Sequence, residues 1–143
     1  MQGELLRDGM ARVYTFPDNR GRAAKMLSFE KTARTARRGT WALSYYGIRP
    51  SDDLRRDIGT FRVIEGIITK VAVVRGRAYL NFGRNWRTDF TISISPKWMR
   101  RHWRIGPPVA DYEGRKIRVR GCLIFYNGPL NEATHPEHIE IVP

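Results

Sequence analysis

Residues 60–95 read TFRVIEGIITKVAVVRGRAYLNFGRNWRTDFTISIS, and this stretch decides the fold. From Phe61 to Val74 it carries Phe61, Val63, Ile64, Ile67, Ile68, Val71, Val73 and Val74, with no helix breaker except Gly66. Branched and aromatic side chains favour a pleated surface, so the run is expected as one long strand closing on a hairpin turn at Arg75-Gly76-Arg77. In Tyr79-Leu80-Asn81-Phe82, Leu80 and Phe82 fall on one face and Tyr79 and Asn81 on the other, because successive strand side chains point to opposite faces. Asp89 to Ile94 repeats the pattern, with Phe90, Ile92 and Ile94 inward and Thr91 and Ser93 outward.

Downstream, Ser95-Pro96 has the form of an N-cap followed by proline at the first helical position, opening a short helix through Trp103 that Gly106-Pro107-Pro108 stops. A fourth strand is expected over Arg115–Tyr126. It places Ile117, Val119, Gly121, Leu123 and Phe125 on one side and Lys116, Arg118, Arg120, Cys122 and Ile124 on the other. The turn Asn127-Gly128-Pro129 then leads to a last strand near His138–Val142. A long first strand, two more strands, a helix and two final strands make an OB-fold plan, a five-stranded barrel that binds oligonucleotides on the face of strands two and three. An SH3-like barrel or a plain meander shares most of these signals.

Upstream, Glu4–Asp8 reads as one or two helical turns ended by Gly9, and Ala11–Thr15 as extended chain. Phe16-Pro17-Asp18-Asn19 is a turn whose Asp18 or Asn19 can cap a helix over Arg20–Arg38, with Ala23, Met26, Leu27, Glu30, Ala33 and Arg37 at helical spacing and Gly39 as the stop. Arg22, Lys25, Lys31, Arg34 and Arg38 cover the rest of it, as a solvated face or as phosphate contacts. Trp41 and Tyr45-Tyr46 can tuck back under this helix. Residues 49–58 are polar and broken by Pro50. The expected organisation is therefore α+β, mainly β with helices: residues 1–48, a linker over 49–58, and a barrel over 59–143.

The 143 residues include 26 basic and 14 acidic side chains, a formal charge of +12 with an isoelectric point near 10.7. Residues 1–58 hold +5 of that excess and residues 59–143 hold +7, so neither part is a basic tail on a neutral body. Such a balance favours a polyanionic partner through long-range attraction and counterion release; a generally arginine-rich surface is the plainer explanation. The single cysteine, Cys122, excludes an intramolecular disulfide and a cysteine-cluster metal site. No apolar run reaches membrane-spanning length and the N-terminus lacks a signal-peptide core, so the expected place is the cytoplasm, or the periplasm or exterior if an upstream segment is missing.

On this plan Arg75, Arg77, Tyr79, Arg84, Trp86, Arg87, Lys116, Arg118 and Arg120 are the candidate nucleic-acid contacts, with Asn81, Thr91, Ser93, Tyr126 and Asn127 beside them. Arginines neutralise phosphates, and an exposed ring stacks on a base without sequence readout, which suits a single strand bound with weak sequence preference. The rings equally suit a covering role, Trp86 over the barrel mouth and Tyr79 against the N-terminal helix. His135-Pro136-Glu137-His138 brings two imidazoles near a carboxylate, but the proline argues against a helical ligand pair, and a turn with surface histidines is the expectation. Asp89 is expected in an ion pair with Arg84 or Arg87. No catalytic constellation and no metal site stands out.

Two segments resemble the thermonuclease (SNase-like) family. Leu5-Leu6-Arg7-Asp8-Gly9-Met10-Ala11-Arg12-Val13-Tyr14, with Glu30, Ala33, Arg34 and Arg38-Gly39-Thr40-Trp41, is similar to the C-terminal third of its nuclease domain. Phe61 to His135-Pro136-Glu137, through Tyr79-Leu80-Asn81-Phe82-Gly83 and Trp86–Thr91, is similar to an accessory domain of bacterial members. The resemblance implies a nuclease using calcium, a glutamate base and two arginines, all upstream of the matched stretch. It therefore implies no catalytic residue and no cofactor in this chain. It also implies that the chain, which starts abruptly on a short helix and a lone extended stretch, is a truncated relative. The expected function is nucleic-acid binding without hydrolysis; the alternatives are the C-terminal part of an active calcium-dependent nuclease, or a protein-interaction module. Nothing in the sequence fixes oligomeric state.

Overall fold

The computed structural model describes residues 2–14, 20–43, 46–52, 54–85, 89–104 and 108–143. The chain divides into two compact units, Met1–Gly47 and Ile48–Pro143. In the first, α1 (Gln2–Arg7) and α2 (Ala23–Thr35) pack together. The expected cap residues Asp18 and Asn19 lie outside the described residues. Helix α2 is shorter than its periodicity: Ala23, Glu30 and Ala33 are buried, whereas Arg37 is exposed with φ +52° and ends the helix as a left-handed residue. Ala11–Tyr14 joins no sheet. Instead the Val13 N–H donates to Glu30 Oε2 at 2.7 Å, and Arg34 Nη1 donates to Glu30 Oε1 at 3.0 Å, so the buried carboxylate is satisfied on both oxygens. Gly9 and Gly39 let two backbones cross, and the Thr40 N–H donates to Gly9 O across them.

In the second unit, among the described residues, nine short strands form two sheets rather than a closed barrel. β1 (Arg49–Pro50), β2 (Phe61–Ile67), β6 (Lys116–Cys122) and β9 (Ile139–Ile141) form one; β3 (Lys70–Val74), β4 (Arg77–Asn81), β5 (Thr91–Ile94), β8 (Pro129–Glu132) and β7 (Ile124–Phe125) form the other, in those orders. The α+β class expected from the sequence holds, and the plan is OB-like. The long first strand is two strands. Ile68 N–H donates to Arg115 O on the β6 side, and the next residue, Thr69, donates to Asn81 O on the β4 side, so the chain changes sheet between them. It changes again at Leu123, which exchanges hydrogen bonds with Gly59 and Thr60 before β7 joins β8. Residues 49–58, expected as a linker, belong to this unit: β1 pairs in parallel with β2, and Leu54 and Asp57 are buried.

Strand β8 replaces part of the expected turn and runs parallel to β5. Between the sheets lie Ile64, Ile68, Leu80, Phe90, Ile92, Ile94, Ile117, Val119 and Leu123. Burying each such side chain contributes about 1.5–3 kcal/mol, so this core positions everything below. Helix α3 (Pro96–His102) starts as expected, with Ser95 Oγ accepting from the Trp98 N–H and Pro96 at its first position.

Candidate nucleic-acid interface

The five-stranded sheet turns Arg77, Tyr79 and Asn81 away from the core that takes Ala78 and Leu80. Across β5 they face Ser93 and Thr91, which are buried, against the expectation that they are free on the surface. Their longer neighbours account for this: Thr91 Oγ1 donates to Asn81 Oδ1 at 3.1 Å, and Arg77 Nη1 donates to Ser93 Oγ at 3.0 Å while lying 3.6 Å from Glu132.

Two hairpins flank this sheet. Arg75 and Gly76, with φ of +52° and +80°, form the two-residue β3–β4 turn, a geometry matching strand twist. At the other edge, Phe125 and Tyr126 are 69% and 68% exposed beside Ile124, and Asn127 and Gly128 complete the β7–β8 turn. Sequence alternation assigns Phe125 to the core. The sheet change at Leu123 breaks that alternation and turns the ring out.

Arg84 is exposed. Trp86 and Arg87 lie outside the described residues. Among the described residues Asp89 has no ion pair with Arg84, and it holds the chain after β4: its Oδ2 accepts from the Asn85 N–H at 2.9 Å, and its own N–H donates to Asn85 O. The carboxylate folds over Gly83, where a Cβ would lie 2.0 Å from it.

The second basic row is occupied by acids. Lys116 Nζ and Arg118 Nη2 meet Glu65 at 3.0 and 2.9 Å, and Arg120 Nη2 meets Glu140 at 2.9 Å. Arg120 is only 1% exposed, so it works inside the protein and presents no cation at the surface. Burial acts to raise the Glu65 carboxyl, but hydrogen bonds from Lys116 and Arg118, with their charges, outweigh it and hold its pKa below the usual carboxylate value. A carboxylate held low stabilises the fold above its unfolded pKa, and that contribution is lost as pH falls through the folded pKa. Glu65→Gln is therefore expected to cost on the order of 1 kcal/mol in urea denaturation at pH 7. The difference from wild type closes as the pH drops below about 4.

The histidines also depart from expectation. His135 and His138 are buried with ring centroids 4.0 Å apart, and Thr134 Oγ1 lies 2.8 Å from His135 Nδ1. Among the described residues no group of three or more His, Cys, Asp or Glu is placed to hold a metal ion, and no helix is long and apolar enough to cross a membrane.

Residues 1–43 match the family model described as Staphylococcal nuclease homologue. No curated protein matches the chain. Among solved structures, 69% of the chain overlays a structure assigned to an aspartyl-tRNA synthetase from Leishmania major Friedlin, at 9% identity and a TM-score of 0.45. The chain spans 21% of that protein's length.

Proposed function

With residues 1–43 similar to nuclease homologues as the premise, we propose that the chain binds single-stranded nucleic acid with weak sequence preference and does not hydrolyse it. The strand lies on the β4–β5 face between the two hairpins. The observation that carries this reading is the exposed pair Phe125 and Tyr126 at one hairpin tip. Two adjacent rings in water lose apolar burial unless a partner covers them, and bases stacked on such rings contribute about 1–3 kcal/mol each. Arg75 and Arg84 supply phosphate contacts around Tyr79, joined by Arg77, whose pairing with Glu132 is long at 3.6 Å and exposed, and the net charge of +12 supports a polyanionic partner. Trp86 and Arg87 join this set on their sequence alone. Lys116, Arg118 and Arg120 do not, because Glu65 and Glu140 already engage them. We further assign the first unit to the C-terminal third of a nuclease domain and the second to the accessory domain of bacterial members.

Fluorescence anisotropy with a labelled single strand across a salt series tests the reading. Affinity falls as salt rises, and Phe125→Ala or Tyr126→Ala each weakens binding by about fivefold to a hundredfold. Absence of binding at low salt, or binding indifferent to salt, sinks the idea. The family match favours a second reading, the C-terminal part of a calcium-dependent nuclease. The described residues do not fit a calcium site: Glu30, the buried carboxylate of the matched stretch, is held by Val13 and Arg34. Calcium-dependent cleavage of a single strand by the purified chain would establish this second reading.

A further inference from the structure

Helix α3 concentrates exposed positive charge. Between Asp89 and Asp111 the sequence has no acidic residue, and within that interval Lys97, Arg100, Arg101 and Arg104 are all exposed. Among the described residues none of the four has an ion pair, whereas all three cations of β6 have one. The helix faces the core with Met99 and Trp98, and Trp103 is buried just beyond it.

Helix stability explains only part of this charge. Arg100 and Arg101 in the last turn favour the helix dipole, but Lys97 sits in the first turn, where a cation is disfavoured. Lys97 Nζ lies 4.6 Å from the Trp98 ring centre, and Arg101 Cζ lies 6.0 Å from it. Trp98 stacks on His102 with centroids 5.3 Å apart and planes at 12°, and His102 Nδ1 lies 2.9 Å from Thr134 O. Two cations are thus set around one braced ring. The β3–β4 turn abuts the same place: a Cβ on Gly76 would lie 3.4 Å from Pro96 Cβ, so the Arg75 turn meets the first residue of α3.

We infer that α3 is a second phosphate-contacting surface, over which a nucleic-acid strand leaving the β3–β4 hairpin continues along Lys97, Arg101, Arg100 and Arg104. This rests on the reading of the sheet face as a single-strand site and extends its footprint.

The test compares single strands of about 8 and about 30 nucleotides, since one OB-type face covers about 4–16. Arg100→Glu/Arg101→Glu and Lys97→Glu alter exposed side chains, and circular dichroism checks that they fold. With the long strand, the double variant is expected to lose at least about tenfold in affinity at low salt, and its log K against log salt slope becomes shallower by about 1.4, which is about 0.7 for each phosphate no longer neutralised. With the short strand it binds like wild type. Equal binding of the long strand by variant and wild type overturns the inference. So does loss of binding to vesicles of equal parts phosphatidylserine and phosphatidylcholine with long-strand binding intact, which assigns the surface to a membrane. Failure of wild type to bind either strand overturns the sheet-face reading and this inference with it. Short-strand binding that is lost in Phe125→Ala but kept in the α3 variants separates the two surfaces as expected.

Discussion

Replacing Asp57 with alanine is expected to destabilise the second unit by about 3–5 kcal/mol. Its partner Arg62 is 2% exposed, with Nε 3.0 Å from Asp57 Oδ1 and 3.1 Å from Thr60 Oγ1, and Arg49 approaches the same carboxylate at 3.6 Å. Most of the loss comes from taking a counter-charge at 3.0 Å away from a buried guanidinium. The pair itself has small net worth, because desolvation opposes its attraction. A second substitution, Arg62→Met in the Asp57→Ala background, removes that charge and is expected to restore most of the stability. Urea denaturation of the three variants checks both statements. If Asp57→Ala lies within about 1 kcal/mol of wild type, the carboxylate is not what holds Arg62. Against a typical domain stability of about 5–15 kcal/mol, the expected loss leaves little reserve.

Gly9→Ala is expected to cost about 2–5 kcal/mol, confined to the first unit. At φ +75° a side chain is strained by the left-handed conformation, and here the new Cβ would also stand 1.9 Å from the Arg38 carbonyl oxygen. Backbone cannot swing aside as a side-chain tip does. The crossing with Gly39 must open, taking with it the Thr40 bonds to Gly9 O. Hydrogen exchange reports the outcome by position: α2 amides lose protection while β4, β5 and β6 keep theirs. Equal loss in both would show that the two units unfold together.

Legibility in the sequence follows the range of the interactions. The β3–β4 hairpin, the inward faces of β4 and β5 and the Ser95-Pro96 helix start are local signals, and each is readable. Strand β8 is not, because Pro129-Leu130-Asn131-Glu132 has no alternation and its place depends on parallel pairing with the distant β5. The same holds for what covers a polar side chain. Period alone puts Arg120 with Lys116 and Arg118, yet Arg120 is enclosed and Lys116 half exposed. His135 and His138 read as surface residues since nothing in their own segment announces burial. Phe125 marks the sharpest difference in the candidate site: a strict period of two predicts a core ring, and a single change of sheet at Leu123 reverses it. Among the proposed contacts, those legible from sequence are the hairpin arginines, Tyr79 and Tyr126; the outward Phe125 ring and the α3 cations need three dimensions.

The two places where the chain passes from sheet to sheet have a consequence for how errors propagate. Ile68-Thr69 and Leu123 give no slack between one ladder and the next. A slip of one residue in β2 against β6 would drag β3 along β4 by the same step, turning Ile64 and Val71 outward together. Neither sheet can settle into a wrong register alone, and neither can be corrected alone. The β2–β6 partners lie 49 to 61 positions apart in the chain, so the alignment that fixes both sheets must await the distant strand β6. Accuracy of pairing is thereby gained at the expense of folding speed.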